Sequence, residues 1–195
     1  MNGFERRKQQ KRESISRAAL TLFQAHGFRR VSIVDIAKRA NVSQVSIYNH
    51  FNSKEELMRE VIKKFLLDIL ADYGSLFKSE RPFIKKLEYM IFRKEQVAAQ
   101  FNGELMGPVV YNDPQLMLFI DTVFKKMSRQ IILDLVEEGR KQGYISKDLS
   151  NEAVLIYFEL LNRGMQSGAG ELSKIKFTPK LVREINSLVL YGLNG

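Results

Sequence analysis

The chain has 195 residues, 45% of them hydrophobic, and a formal charge of +9. This composition supports one or two compact domains with a hydrophobic core and excludes a disordered chain. The chain contains no cysteine and two histidines, which excludes disulfides and thiolate metal sites. Because there is neither an apolar run of about 18 residues nor an apolar leader at the charged N-terminus, we expect a cytoplasmic protein without a membrane partner.

The positive charge is concentrated in the N-terminal part of the chain. Residues 1–64 contain 14 Lys and Arg against 6 Asp and Glu, a balance of +8, whereas the remaining residues contain 17 against 16, a balance of +1. A positive field confined to one segment favours attraction to nucleic-acid phosphates. A segment that binds a membrane surface is the alternative interpretation.

The first predicted helix follows a basic run at residues 5–12. We expect it to stop at Gly27, with Phe28 folding back on Phe23 as in a Schellman closure. Its apolar residues recur at helical spacing: Ile15, Ala18, Ala19, Leu22 and Phe23. The basic run is either a frayed, solvated terminus or an arm that contacts DNA.

Residues 31–57 contain the signals of a helix-turn-helix. Ser32 and Asp35 form a capping box at the start of one helix, and Asn41 suits the left-handed conformation that ends it. Ser43 then caps a second helix. Because several caps agree within one short segment, we predict two short helices joined by a sharp turn.

The second of these helices has an apolar face and a polar face. Ile47 and Phe51 lie four residues apart and are expected to pack on the preceding helices. The opposite face carries donors and acceptors that suit the reading of base edges in a major groove. These candidate base-contacting residues are Gln44, Val45, Ser46, Asn49 and His50. A solvated polar face is the alternative interpretation.

A long helix is predicted to leave the basic segment. Ser53 and Glu56 form a second capping box at its start. Lys54 opposes the helix dipole at this position, and a nearby phosphate would explain its presence. From Leu57 to Leu76 apolar residues recur about every four positions, which predicts a rigid connection. A shift in the C-terminal part would then move the N-terminal unit.

The remainder of the chain is predicted to be helical. One helix begins at Pro82, and a long one runs from Pro114 to near Gly143. Ser150 caps a helix that is apolar on almost all sides, and Pro179 begins the last one. The apolar stripe of the long helix comprises Leu116, Ile120, Val123, Phe124, Met127, Ile131 and Leu135. No alternating strand pattern is present, so the predicted fold class is all-α.

The N-terminal pattern resembles the TetR family of repressors over about residues 10–60. The matching string is Ile36-Ala37, Ala40, Val42-Ser43, Ile47-Tyr48, Phe51 and Lys54-Glu55-Glu56-Leu57. The resemblance implies a three-helix helix-turn-helix DNA-binding domain at residues 1–53, fused to a helical effector-binding and dimerisation domain at residues 54–195. Val45 departs from the pattern, because many relatives have Gly there.

The resemblance also implies partners and roles for individual residues. Ser32, Tyr48 and Lys54 would contact DNA phosphates. The last two long helices, near residues 150–166 and 178–191, would pair two copies into a homodimer. The other partners would be a double-stranded DNA operator and a small-molecule effector, with no cofactor or metal.

An effector pocket is expected in the helical body, where aromatic, methionine and polar residues are concentrated. Such stripes are more often plain core, so these residues are candidates for the pocket lining. They are Tyr89, Phe92, Gln96, Phe101, Glu104, Tyr111, Phe119, Phe124 and Met127.

The predicted function is a ligand-responsive, sequence-specific transcriptional regulator. We expect a repressor that a small hydrophobic effector releases, because half-sites ~34–36 Å apart cannot be met once the two recognition helices change their separation. The alternative is a coactivator or protein-interaction module, derived from a helix-turn-helix protein, without its own operator. No triplet of nucleophile, base and orienting group indicates an enzyme.

Overall fold

The computed structural model describes residues 2–100, 108–166, 180–181, 184–185 and 187–188. Within these ranges the chain forms helices and no strand, which confirms the all-α prediction. In the same described part of the chain, no helix is both long and apolar enough to cross a membrane.

The helices follow the predicted order. The first four are α1 (Gly3–His26), α2 (Ile33–Ala40), α3 (Gln44–His50) and α4 (Lys54–Phe77). They are followed by α5 (Phe83–Gln100), α6 (Pro108–Tyr111), α7 (Pro114–Phe119), a π-helical segment (Ile120–Phe124), α8 (Lys125–Lys141) and α9 (Asn151–Gln166). The helix predicted near residues 178–191 is described only at residues 180–181, 184–185 and 187–188, which are helical.

The capping box predicted at the start of α2 is present. The Asp35 N–H donates to Ser32 Oγ (3.1 Å), and the Ser32 N–H donates to Asp35 Oδ2 (2.8 Å). The Ser32 hydroxyl donates to the same carboxylate (2.6 Å). These hydrogen bonds lower the pKa of Asp35, so its carboxylate stays charged where the helix dipole favours a negative charge.

The turn between α2 and α3 has the predicted geometry. Asn41 is left-handed, with φ 53° and ψ 51°, and the Val42 N–H donates to Ala37 O (3.0 Å). Ser43 Oγ then accepts a hydrogen bond from the Ser46 N–H (3.1 Å). These contacts end α2 and start α3 within three residues, which makes the corner sharp.

A hydrophobic core joins the first four helices. Its fully buried side chains include Ile15 of α1, Ile36 of α2, Ile47 of α3, Leu57 of α4 and Phe51, which directly follows α3. The predicted apolar faces of these helices are therefore confirmed, and packing of one stripe against another supplies most of the stability of such short helices.

The end of α1 differs from the expected closure. Phe28 contacts Phe23 as predicted, with ring centroids 5.4 Å apart. Gly27, however, has φ 75° and ψ 154°, which lies outside the left-handed helical region. The prediction of a Schellman closure is thus wrong, and a single hydrogen bond from the Gly27 N–H to Phe23 O (2.9 Å) ends the helix.

The long helix predicted from Pro114 to near Gly143 is interrupted. Residues Ile120–Phe124 wind as a π-helix between α7 and α8. A π-helical turn inserts an extra residue and rotates the helix face that follows it. Val123 and Met127, predicted to lie on the buried stripe, are accordingly 39% and 42% exposed.

Packing divides the chain into two compact units. Unit 1 comprises Met1–Asp68 and Ala98–Asp121, and unit 2 comprises Ile69–Val97 and Thr122–Gly195. Unit 1 contains all of the predicted DNA-binding domain. The functional division between residues 53 and 54 stays a prediction.

A buried cation lies in unit 2. Lys86 of α5 is 3% exposed, and its Nζ donates to both carboxylate oxygens of Glu138 on α8 (2.7 and 2.8 Å). The same Nζ donates to Phe77 O, at the end of α4 (2.9 Å). Beside it, Phe83, Leu87 and Leu135 form a hydrophobic cluster. The charge of the ammonium group is therefore compensated by a carboxylate, and its N–H groups are hydrogen-bonded, as a buried charge requires.

Candidate DNA-binding surface

The outer face of α3 presents most of the predicted base-contacting residues. Gln44, Val45 and Asn49 are exposed, and Val45 is 68% exposed. Ser46 is half-buried, while Ile47 on the opposite face is fully buried. The helix therefore has one face that is packed in the core and one face that is exposed to solvent.

His50 lies at the C-terminal end of α3 and is half-buried. Its Nδ1 is buried and has no hydrogen-bond partner among the described residues. Burial lowers the pKa of His50, and the positive charges of Arg12, Lys8 and Lys11 lower it further. The ring is therefore neutral near physiological pH, and Nε2 is the ring nitrogen left to contact a base.

The three residues predicted to contact phosphates differ in their surroundings. Ser32 and Tyr48 are exposed. Lys54 is half-buried, and its Nζ donates to Phe28 O (2.8 Å) and lies 4.3 Å from the centroid of the Phe28 ring. Burial lowers the pKa of Lys54. An ammonium group has three N–H donors, so this contact orients Lys54 and still leaves donors for a phosphate.

The start of α4 has half of its predicted capping box. The Glu56 N–H donates to Ser53 Oγ (3.0 Å). The Glu56 carboxylate accepts a hydrogen bond from Asn52 Nδ2 (2.7 Å), and this contact replaces the reciprocal half of the box.

The basic run at residues 5–12 belongs to α1. The helix begins with a capping box in which Asn2 Oδ1 accepts from the Phe4 and Glu5 N–H groups (3.0 and 2.9 Å). The run is therefore folded as helix and is not frayed. Its exposed cations are Arg6, Arg7, Lys8 and Lys11. Their contact with DNA stays a prediction.

Arg12 has a role that was not predicted from the sequence. Its Nη1 donates to His50 O (2.5 Å), its Nε donates to Glu60 Oε2 (3.2 Å), and its Nη2 pairs with Glu60 Oε1. The guanidinium also lies 4.3 Å from the centroid of the Phe51 ring. One signal was available, because Arg12 lies three residues before buried Ile15 and so shares the inner face of α1.

A second ion pair joins α4 to the start of α7. Arg59 Nη1 donates to Asp113 Oδ2 (2.9 Å), and Asp113 Oδ1 caps α7 by accepting from the Gln115 and Leu116 N–H groups (3.0 and 2.9 Å). Burial by itself would raise the pKa of Asp113, but the hydrogen bonds from Leu116 and Arg59 hold it below its ordinary value. The carboxylate is therefore ionised at neutral pH.

The candidate pocket residues are placed on α5 to α8. Half-buried positions are Tyr89, Phe119 and Phe124, and exposed positions are Phe92, Gln96, Tyr111 and Met127. Phe101 and Glu104 lie outside the described residues. A pocket lined by these side chains stays a prediction.

Comparison with known proteins finds a family match in the N-terminal part of the chain. The model of "Bacterial regulatory proteins, tetR family" matches residues 15–61. The HTH-type transcriptional repressor KstR2 of Mycobacterium tuberculosis (strain ATCC 25618 / H37Rv) is 25% identical over 150 residues, which cover 74% of this chain and 74% of the relative. Over residues 15–61 this chain matches the TetR family.

Other relatives extend the likeness to nearly the whole chain. The uncharacterized HTH-type transcriptional regulator YdgC of Bacillus subtilis (strain 168) is 25% identical over 188 residues, 93% of this chain and 92% of YdgC. The crystal structure of the regulator FadR from Bacillus subtilis in complex with stearoyl-CoA has a TM-score of 0.68 at 18% identity, and the match covers 93% of this chain and 98% of FadR. At that identity the structural likeness concerns the fold alone.

The match to the TetR family and the names of the relatives distinguish the classes of function considered. The matched residues 15–61 include α2, α3 and the exposed face with Gln44, Val45 and Asn49. The protein is a DNA-binding transcriptional regulator, and the prediction of a regulator instead of an enzyme is confirmed. The repressor names of the relatives do not favour the alternative of a coactivator without its own operator.

Proposed function

We propose that this TetR-family regulator is a repressor that binds a double-stranded operator through α3 and leaves it when a small hydrophobic effector binds the helical body. The observation that carries the proposal is the exposed outer face of α3, with Gln44, Val45 and Asn49, in a part of the chain with a charge balance of +8 over residues 1–64. That charge supplies attraction to phosphates, and the exposed face supplies the base contacts.

On the operator, the residues of unit 1 take different roles. Gln44, Ser46 and Asn49 would specify bases through hydrogen bonds in the major groove. Val45 has exposed methyl groups that suit contact with a thymine methyl. Ser32, Tyr48 and Lys54 would hold phosphates and set the register, together with the N-terminus of α2. His50 would approach a base through Nε2.

The effector is proposed to be hydrophobic and to act through α4. FadR was crystallised with stearoyl-CoA, and another protein of similar fold, KstR2 of Mycobacterium tuberculosis, is described as a ketosteroid transcriptional regulator. The candidate pocket residues of α5 to α8 are mainly aromatic, which suits such a ligand. Helix α4 is 24 residues long and continuous, so a shift at its C-terminal end would move its N-terminal end.

The regulator is further proposed to act in the cytoplasm as a homodimer whose subunits pair through α9 and the helix near residues 178–191. Ile156 and Leu160 on α9 are 59% and 63% exposed, and large apolar side chains four residues apart suit a helix interface. Two copies related by a two-fold axis would present two α3 helices to half-sites ~34–36 Å apart.

Selection from random duplexes followed by two substitutions tests the DNA part of the proposal. We expect the selected sites to contain two related half-sites. Tyr48→Phe should weaken binding to the selected operator and to unrelated duplexes alike, because a phosphate contact is independent of sequence. Gln44→Ala should relax the preference at one base position, by ~1–3 kcal/mol. Selection without sequence preference would contradict the proposal.

The release step is tested on the selected operator with the unmodified protein. The operator complex is titrated with stearoyl-CoA and, separately, with a ketosteroid, and we expect one of these two ligands to release the duplex. Coenzyme A alone is the matched control, and it should leave the duplex bound. Binding should weaken steeply from about 50 to about 200 mM salt, as phosphate-driven association requires. Binding whose affinity does not change with salt would instead support the alternative of a protein-interaction module without its own operator.

A further inference from the structure

The C-terminal end of α3 is held by a side chain from another helix. His50 is the last residue of α3, so no N–H group of the helix donates to its carbonyl oxygen. Arg12 Nη1 of α1 donates to that oxygen (2.5 Å). The recognition helix therefore has a side-chain cap at its C-terminus in addition to the Ser43 cap at its N-terminus.

The same guanidinium is fixed to α4. Its Nε and Nη2 both donate to the Glu60 carboxylate, with an Nε to Oε2 distance of 3.2 Å. The two side chains are 31% and 39% exposed, so solvent screens the pair and its contribution to global stability is small. The pair instead orients the two side chains, because a bidentate contact between two planar groups fixes their relative orientation.

A third contact completes the arrangement. The Arg12 guanidinium carbon lies 4.3 Å from the centroid of the Phe51 ring, and Phe51 is a fully buried core residue directly after α3. A planar guanidinium can stack its face on a ring while its edge donates to a carbonyl and, as a bidentate fork, to a carboxylate, whereas a lysine ammonium has neither the planar face nor the fork.

We propose that Arg12 is a positioning residue for operator recognition: it clamps the end of α3 to α4, so that Gln44 and Asn49 meet base edges in register, and it does not itself contact DNA. The inference rests on the proposed function of α3. Arg12 and Glu60 are 48 residues apart in sequence. Because Arg12 donates both to the Glu60 carboxylate and to the His50 carbonyl, its guanidinium joins α1, α3 and α4 at one point.

The test compares affinity for the selected operator with affinity for a random duplex, using the full-length protein. Arg12→Lys keeps the charge but loses the bidentate geometry of the pair and the planar face against Phe51, and Glu60→Gln weakens the pair from the α4 side. Each should lower operator affinity on the order of tenfold, the size of one lost base contact, and leave random-duplex affinity nearly unchanged. Arg17→Lys, an exposed position on the same helix, is the matched control and should change neither affinity.

Salt dependence separates positioning from phosphate contact. If Arg12 does not touch DNA, Arg12→Gln keeps the wild-type slope of log K against log salt, whereas loss of one phosphate contact makes the slope shallower by about 0.9. The Arg12→Lys, Glu60→Gln double variant should lose no more affinity than either single variant, because one clamp is broken in all three. A shallower slope for Arg12→Gln, or unchanged operator affinity for Arg12→Lys, overturns the inference.

A measurement without DNA keeps the inference distinct from the proposed function. The Phe51 N–H donates to Ile47 O (2.8 Å) in the last turn of α3. Its hydrogen exchange should accelerate in Arg12→Lys, while exchange of α1 amides around Ile15 stays at the wild-type rate. Unchanged exchange at Phe51 overturns the clamp. A wild-type protein that selects no operator overturns the proposed function and leaves the exchange result to decide the clamp.

Discussion

At the scale of single residues, His50 shows how the fold controls a charge next to the recognition surface. Its Nδ1 is buried, and Lys8, Lys11 and Arg12 of α1 lie near enough to oppose a positive charge on the ring. The pKa of His50 in the folded protein is thereby lower than the ordinary value of about 6.5. Folding consequently favours the neutral imidazole.

This shift predicts the pH dependence of stability. Below pH ~6.5 the unfolded chain binds a proton at His50 that the folded chain rejects, so the free energy of unfolding falls as pH falls through that window. Above the unfolded pKa both states are neutral, and the stabilisation is fully present. Urea denaturation between about pH 7.5 and about pH 5.5 should show this loss, and His50→Gln should reduce its slope. An unchanged slope in His50→Gln would contradict the assignment.

Residues also differ in how far sequence alone predicts their roles. Ser32, Asn41 and Ser43 were predicted as caps, because a cap acts on backbone groups within about three or four residues. Lys54 was interpreted only as a phosphate ligand, yet its ammonium also binds Phe28 O, 26 residues away in sequence. No local pattern carries such a contact.

At the scale of elements, α5 and α8 approach closely at a glycine. A Cβ atom at Gly139 of α8 would lie 2.8 Å from Phe83 Cζ and 2.8 Å from Ile145 Cδ1. Phe83 is fully buried and cannot move aside without disturbing the cluster with Leu87 and Leu135. Gly139 is thus required by packing. Its backbone φ is not positive, so the backbone conformation does not require a glycine there.

Two glycine substitutions test this packing. Gly139→Ala should destabilise the protein by on the order of 1 kcal/mol, because overpacking costs about 1–3 kcal/mol and the gain in helix propensity returns up to about 1 kcal/mol. Gly74→Ala in α4 is the matched control, since a Cβ there meets nothing within 4 Å. It should stabilise by about 0.5–1 kcal/mol. Thermal unfolding of both variants gives the comparison, and equal stabilisation would contradict the close approach.

The helix predicted from Pro114 to near Gly143 differs from the structure in its middle. The periodicity from Leu116 to Leu135 was interpreted as a single α-helix, and the π-helical segment Ile120–Phe124 breaks its phase. Residues on both sides of the break are helical and apolar, so a pattern of i, i+3 and i+4 positions does not reveal one inserted residue. The burial of Lys86 against Glu138 was also not predictable from the sequence pattern, because it depends on how α5 packs on α8.

At the scale of the whole molecule, the excess positive charge and the proposed dimer face lie in different parts of the chain. The balance of +8 lies in residues 1–64, whereas exposed Ile156 and Leu160 lie on α9. This separation is what the proposed regulator requires, with DNA attraction in one part of the chain and subunit pairing in another.

The proposed dimer predicts the effect of one charge. Leu160→Glu should convert the protein to monomers, because an unpaired carboxylate would be buried in an apolar interface. Operator affinity should fall with it, since one α3 reaches a single half-site. Leu118→Glu on α7, at 64% exposure, is the matched control and should stay dimeric. Sedimentation equilibrium measures the mass, and a dimeric Leu160→Glu protein would contradict the α9 interface.

The sequence by itself determined the class of fold, the start of each helix-turn-helix element and the part of the chain that attracts DNA. These features depend on caps, helical periodicity and formal charge, all of which act over a few residues or are simple sums. Only the tertiary structure decided which cationic side chains are bound to other groups of the protein. Arg12 is bound to Glu60 and His50 O, and Lys86 is buried against Glu138. These partners lie from 38 to 52 residues away in sequence, and packing of the intervening helices brings them together.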